Sequence, residues 1–209
     1  MERRMKDWIR FILLSLAKVG LLLYPRALSS RIRFLIDELL TYRSLLKMKD
    51  FSLWTIIEHP FTIIGPEYIT IGRYFSSRPG LRVECYNHGI KPPILVIGDN
   101  VSVNFRCHIG VINEIRIGDN VLIGSNVLIT DHSHGTTSYD DLTQPPTQRN
   151  LCSKGPVIIE DNVWIGENVS ILPNVRIGQN SVIGCNTVVS KSVPSYCVVY
   201  GNPNKIIQR

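Results

Sequence analysis

From Ile159 to Val189 an aliphatic residue returns every six positions, at Ile159, Ile165, Ile171, Ile177, Ile183 and Val189. Asn stands three residues after the first five of them, at Asn162, Asn168, Asn174, Asn180 and Asn186. A period of six matches neither the 3.6-residue turn of a helix nor the two-residue alternation of a long strand. It matches a chain that runs straight briefly, turns a corner and repeats, with the aliphatic side chain inward on each flat side. Asn tolerates positive φ, and the Gly before it relaxes the backbone further, so the corners are chemically specified. The expectation is an all-β solenoid, a parallel β-helix of hexapeptide repeats.

The same beat holds at Ile97, Val103 and Ile109, and again at Ile117, Ile123 and Ile129. Between Ile109 and Ile117 the step is eight, which predicts a two-residue bulge at one corner. From Phe61 to about Tyr86 the pattern is worn and its register ambiguous; residues 86–93 read as a loop. Residues 130–156 leave the repeat as a long excursion loop, and such a loop on so regular a scaffold points to function. Asp131, His132, Ser133 and His134 stand at its mouth. The expected divisions are an N-terminal helical segment over 1–57, the repeat domain over 58–200 and a C-terminal tail over 201–209.

The formal charge of +6 sits entirely in residues 1–50, which hold eleven Lys or Arg against five Asp or Glu; the remainder holds twelve of each. A nucleic-acid partner would need basic residues clustered on the folded body, so none is expected. Trp8 to Tyr24 is the most apolar run, but it is short for a membrane span and is interrupted by Arg10 and Lys18. Lys18 also breaks any signal-peptide core. A second helix is predicted from about Ser29 to Lys49, with Ile32, Leu35, Ile36, Leu39 and Leu46 as its apolar stripe. Two readings stay open for this region: a helical hairpin covering the coils, or a basic amphipathic anchor on the inner face of a membrane. Five cysteines without a C-x-x-C pair suggest neither zinc nor a disulfide framework and fit a reducing cytoplasm. Cys107 and Cys185 fall within repeats, where a small apolar residue suits the core.

The segments IGDNVLIGSNVLITDHSH, VWIGENVSILPNVRIG, VIGCNTVVSKSVP and GNPNKII together resemble the hexapeptide acyltransferases of the galactoside, maltose and serine acetyltransferase type, including surface-polysaccharide O-acetyltransferases. The similarity covers roughly residues 60–209. It implies a left-handed β-helix, a homotrimer with acetyl-CoA bound between neighbouring subunits, a carbohydrate acceptor and no metal. It implies His132 as the general base that deprotonates the acceptor during direct attack on the thioester. Asn104 matches an acceptor-pocket asparagine, and His134 is a substrate contact or the alternative base. Trp164, Gly166, Cys185, Ser190, Lys191 and Lys205 match the coenzyme side, with the corner after Gly166 as the place for an oxyanion donor. Val111 and Ile112 replace acidic residues of the sugar acetyltransferases, which argues against a small galactoside- or maltose-like acceptor.

Three other readings compete with this O-acetyltransferase: N-acetylation of an amino sugar, a non-catalytic trimeric scaffold, and a metal-dependent hydratase on the same fold. The hydratase needs three placed histidines, and no motif places His59, His88 or His108.

Overall fold

The computed structural model describes residues 10, 12–15, 18, 26–88, 91–203 and 205–208. The helix expected over 8–24 therefore lies largely outside the described residues. Residues 1–37 and 38–209 form two separate compact units.

In the larger unit the chain visits three parallel sheets in rotation. One sheet runs Asp50–Phe51, Ile69–Ile71, Ile94–Ile97, Glu114–Ile117, Val157–Ile159 and Arg176–Ile177. The second runs from Ile56–Ile57 through Ser102–Val103, Trp164–Ile165 and Val182–Ile183 to Cys197–Tyr200. The third runs Thr62–Ile64, Arg82–Cys85, His108–Val111, Leu128–Thr130, Ser170–Ile171 and Val188–Val189. These parallel sheets agree with the expected β-helix. The hexad aliphatics stack inward in register, as with Ile123 on Ile165 and Ile165 on Ile183, and all are buried. Each Leu-, Ile- or Val-sized side chain so buried contributes about 1.5–3 kcal/mol of apolar transfer.

The corner asparagines lie in the left-handed region, from φ 57° at Asn168 to φ 64° at Asn174. The glycines of the IG pairs act differently from the expectation. None of Gly98, Gly118, Gly124, Gly166 or Gly178 has a positive φ; instead a Cβ on each would lie 2.2–2.7 Å from an atom of the next coil. Their small size sets how closely the coils stack.

The coils begin earlier than residue 58. Strands Asp50–Phe51 and Ile56–Ile57 already belong to the first two sheets, and Thr41 on the preceding helix satisfies the edge at Ile57. The Thr41 hydroxyl donates to the Ile57 carbonyl at 3.2 Å and accepts from the Ile57 amide at 2.9 Å. That helix is Arg26–Leu45 rather than 29–49. The expected stripe is not its packing face: Ile32, Leu35, Ile36, Leu39 and Leu46 are all exposed, whereas Leu45 and Met48 join the core. At the other end the tail forms a strand, Lys205–Gln208, antiparallel to Cys197–Tyr200, and covers that edge of the second sheet.

The excursion closes on itself. Ser133–His134 pairs antiparallel with Leu151–Cys152, and a helical turn at Tyr139–Leu142, capped by the Ser138 hydroxyl, lies between them. Glu114–Ile117 on one side of the excursion therefore pairs directly with Val157–Ile159 on the other.

Candidate active site

The two-residue bulge and the mouth of the excursion meet at one corner. Between His108–Val111 and Glu114–Ile117 the extra residues turn three consecutive amides onto the carboxylate of Asp131, which is 0% exposed. The Ile112 N–H donates to Oδ1 at 3.0 Å, and the Asn113 and Glu114 N–H groups donate to Oδ2 at 2.8 Å each. A buried carboxylate needs such donors. Its Oδ1 also lies 3.0 Å from His132 Nδ1. A carboxylate in this cradle can only accept, so the neutral ring takes the tautomer with the proton on Nδ1 and the lone pair on Nε2. Asp131 thus sets both the tautomer and the orientation of His132.

Gly110 gives the imidazole its space. A Cβ there would lie 3.1 Å from His132 Cε1 and 3.5 Å from His108 Nε2, so the two rings flank bare backbone. His108 Nε2 donates to Glu84 Oε2 at 3.1 Å. Arg82 Nη2 is 2.9 and 3.1 Å from the two His108 ring nitrogens, a placement over the ring face. Burial, then the Arg82 charge, push the His108 pKa below its ordinary value, against the opposing pull of Glu84. His108 is thereby biased towards the neutral form. Sequence reasoning missed this wall and the role of Asp131. Arg82 and Glu84 lie in the worn part of the repeat, and only the register of Arg82 on His108 and Glu84 on Gly110 brings them beside His132.

The other expected residues are spread over the second sheet, both edges of the third sheet and the excursion hairpin. Ser190 and Lys191 follow Val188–Val189, two strands along from Leu128–Thr130, on the same edge as His132. At about 4.8 Å per strand that is roughly 10 Å. Asn104, Gly166 and Cys185 sit at corners between the second and third sheets, and Trp164 lies on the second sheet, 53% exposed. Lys205 is on the terminal strand and His134 is exposed in the hairpin. One chain thus brings His132 together with Asp131, but does not bring it to Trp164, Gly166 or Cys185.

Known proteins match this arrangement. The bacterial transferase hexapeptide family (six repeats) matches residues 156–191, and the hexapeptide repeat of succinyl-transferase matches residues 114–137. WbbJ of Escherichia coli, named as a lipopolysaccharide biosynthesis O-acetyl transferase, is 38% identical over 158 residues, covering 74% of this chain and 78% of WbbJ. The chain belongs to the hexapeptide-repeat acetyltransferases. Galactoside O-acetyltransferase of Escherichia coli is 35% identical over 134 residues, 58% of this chain and 61% of that enzyme. Among solved structures, the hexapeptide-repeat acetyltransferase VCA0836 of Vibrio cholerae, complexed with acetyl-CoA, aligns with a TM-score of 0.53 at 26% identity, covering 88% and 85% of the two chains. The N-acyltransferase AntD of Bacillus cereus aligns with a TM-score of 0.66 at 19% identity, covering 81% and 88%, a likeness of fold alone.

The Gly166 amide itself donates to the Ile183 carbonyl at 2.7 Å, so any oxyanion donor at this place lies in the corner that follows it. One expectation for this acetyltransferase needs correction. Cys185 is exposed at its corner rather than packed in the core, whereas Cys107 is buried as expected.

Proposed function

We propose that the protein transfers the acetyl group of acetyl-CoA to a hydroxyl of a sugar in a bacterial surface polysaccharide or its lipid-linked precursor, with His132 as general base. The observation that carries the reading is the Asp131–His132 pair, which holds the imidazole by its Nδ1 side with the ring beside the open backbone of Gly110. As the acceptor oxygen attacks the thioester carbonyl, Nε2 takes its proton; collapse of the tetrahedral intermediate expels the coenzyme thiolate, which is then protonated. The thioester is already activated, so holding donor and acceptor together supplies much of the rate without a covalent enzyme intermediate. O-transfer is favoured by the name of the 38%-identical relative. The Arg82–Glu84–His108 wall beside Gly110 offers an acceptor several polar contacts.

The coils are read as left-handed and the assembly as a trimer. Supporting the trimer, Gly166 and Cys185 stand at corners leading into the third sheet and Trp164 on the second sheet. His132 instead leaves the third sheet at its other edge beside Ser190 and Lys191, so a site that joins all of them draws on a neighbouring copy. No described helix is long and apolar enough to cross a membrane. The exposed Ile32, Leu35 and Ile36 favour peripheral contact with the inner membrane face. Replacing Ile32, Leu35 and Ile36 together by Ser spares the Thr41–Leu45 cap and is expected to reduce membrane partitioning; unchanged partitioning removes that reading.

The decisive assay is thiol release from acetyl-CoA by wild type and His132→Ala across sugars and surface-glycan fragments. A loss of about 10²–10⁴-fold with coenzyme binding retained is expected. Equal turnover would exclude His132 and pass the role to His134; failure of both proteins to bind acetyl-CoA would favour a scaffold.

A further inference from the structure

Where the helix meets the first coils, an open cleft of about 370 Å³ lies between two cations, Arg43 on the helix and Lys47 in the turn after it, and an apolar side formed by Leu40, Phe61, Ile63 and Pro66. Its volume is at the small end of the usual range for small-molecule sites, about 300–1,000 Å³. Phe61 and Ile63 pack against the hydrophobic core, so the apolar wall is anchored. Arg43 stands in the last turn of the helix and Lys47 in the turn just beyond its end, and both border the cleft. Both are exposed, neither meets a carboxylate among the described residues, and no acidic side chain lines the cleft. Elsewhere on the coils five exposed arginines are matched by carboxylates, Arg73 with Asp99, Arg78 with Glu58, Arg82 with Glu84, Arg116 with Glu114 and Arg176 with Glu160, and Arg106 donates to Asn126 Oδ1.

A simpler account assigns the two cations to the negative end of the helix dipole. That explains their position near the last turn, but not the apolar recess they border. An unmatched cation pair beside anchored apolar side chains complements a ligand with an anionic head and an apolar tail.

We propose that this cleft holds a single lipid phosphate, with its anionic oxygens on Arg43 and Lys47 and its first apolar carbons against Leu40, Phe61, Ile63 and Pro66. Its place in the reaction rests on the acetyltransferase reading. Thr62–Ile64 is the end strand of the third sheet, and two strand spacings, about 10 Å, separate it from His108–Val111. A saccharide linked to a phosphate in the cleft would extend along that sheet, past Arg82 and Glu84, to Gly110 and His132.

Calorimetric titration of the full chain with geranyl phosphate tests the site. Saturable binding is expected, weakened about ten-fold or more in the Arg43→Ala/Lys47→Ala double variant, with inorganic phosphate and geraniol each binding at least about ten-fold more weakly than geranyl phosphate. Equal binding by the double variant overturns the proposal, as does inorganic phosphate matching geranyl phosphate, or no binding of geranyl phosphate. Binding only to phosphatidylglycerol vesicles overturns it in favour of a membrane surface. Both substituted residues are exposed, and an unchanged melting temperature checks the fold of the variant. Acetyl-CoA binding measured on the same proteins separates failure of this cleft from failure of the acetyltransferase reading.

Discussion

The coils from Val157 to Val199 and the corner at residues 110–114 and 130–135 follow opposite rules. In the regular coils each backbone amide on a flat side finds the carbonyl of the next coil, as Trp164 finds Ser181 and Ser170 finds Thr187, so the repeat satisfies itself. At the corner two extra residues break that arrangement, and three amides converge on a side chain instead. Regularity supplies stability there and irregularity supplies chemistry here. Side chains in the first region should therefore matter to folding, and those in the second to turnover.

The sharpest test of the stability half is Ile165→Ala, which removes a fully buried hexad side chain. It should lower unfolding free energy by about 2–5 kcal/mol in denaturant melts, with little change in the kinetics of the folded fraction. On the chemical half, Asp131→Asn keeps an acceptor for the amides but loses the charge that fixes the His132 tautomer. Its kcat should fall about 10²-fold, with coenzyme affinity unchanged. A result near wild type would break the comparison at its most important point.

Two glycines sharpen it further. A Cβ on Gly118 would meet Asp161 Oδ1 at 2.2 Å and backbone at 2.9 Å, so Gly118→Ala should cost about 1–3 kcal/mol of stability and leave catalysis intact. Gly110→Ala should do the reverse, because its nearest contact is the His132 ring at 3.1 Å; paired melting and rate measurements separate the two. Asn168→Ala, at φ 57°, should cost about 1 kcal/mol, and Asn168→Gly less. The smallest effect concerns acid. The folded His108 binds protons less readily than its unfolded value of about 6.5, so its contribution is present above that pH and lost as the pH falls below it. His108→Gln should flatten the fall in melting temperature on acidification.

The hexad spacing made the core legible because each coil repeats the same inward position, and Ile159 through Val189 are buried as that spacing requires. The early coils were harder to read because Tyr74 and Arg106, at φ 60° and 55°, occupy left-handed corner positions where later coils carry Asn. His132 was visible from its place at the excursion mouth. Asp131's task was not, since it depends on amides 17–19 residues earlier that adjoin it only across a coil. The Arg82–Glu84–His108 wall was hidden for the same reason, with 24 to 26 residues separating its partners.

Because the excursion is zipped at its own base, the scaffold is indifferent to what hangs from it. Glu114–Ile117 meets Val157–Ile159 in the register of adjacent coils, although some forty residues lie between their starts. Loops of other lengths and compositions can be exchanged at that junction without disturbing the winding, provided the hairpin of Ser133–His134 with Leu151–Cys152 is kept. The molecule thus separates a winding that each coil passes to the next from an insert whose length the winding does not set.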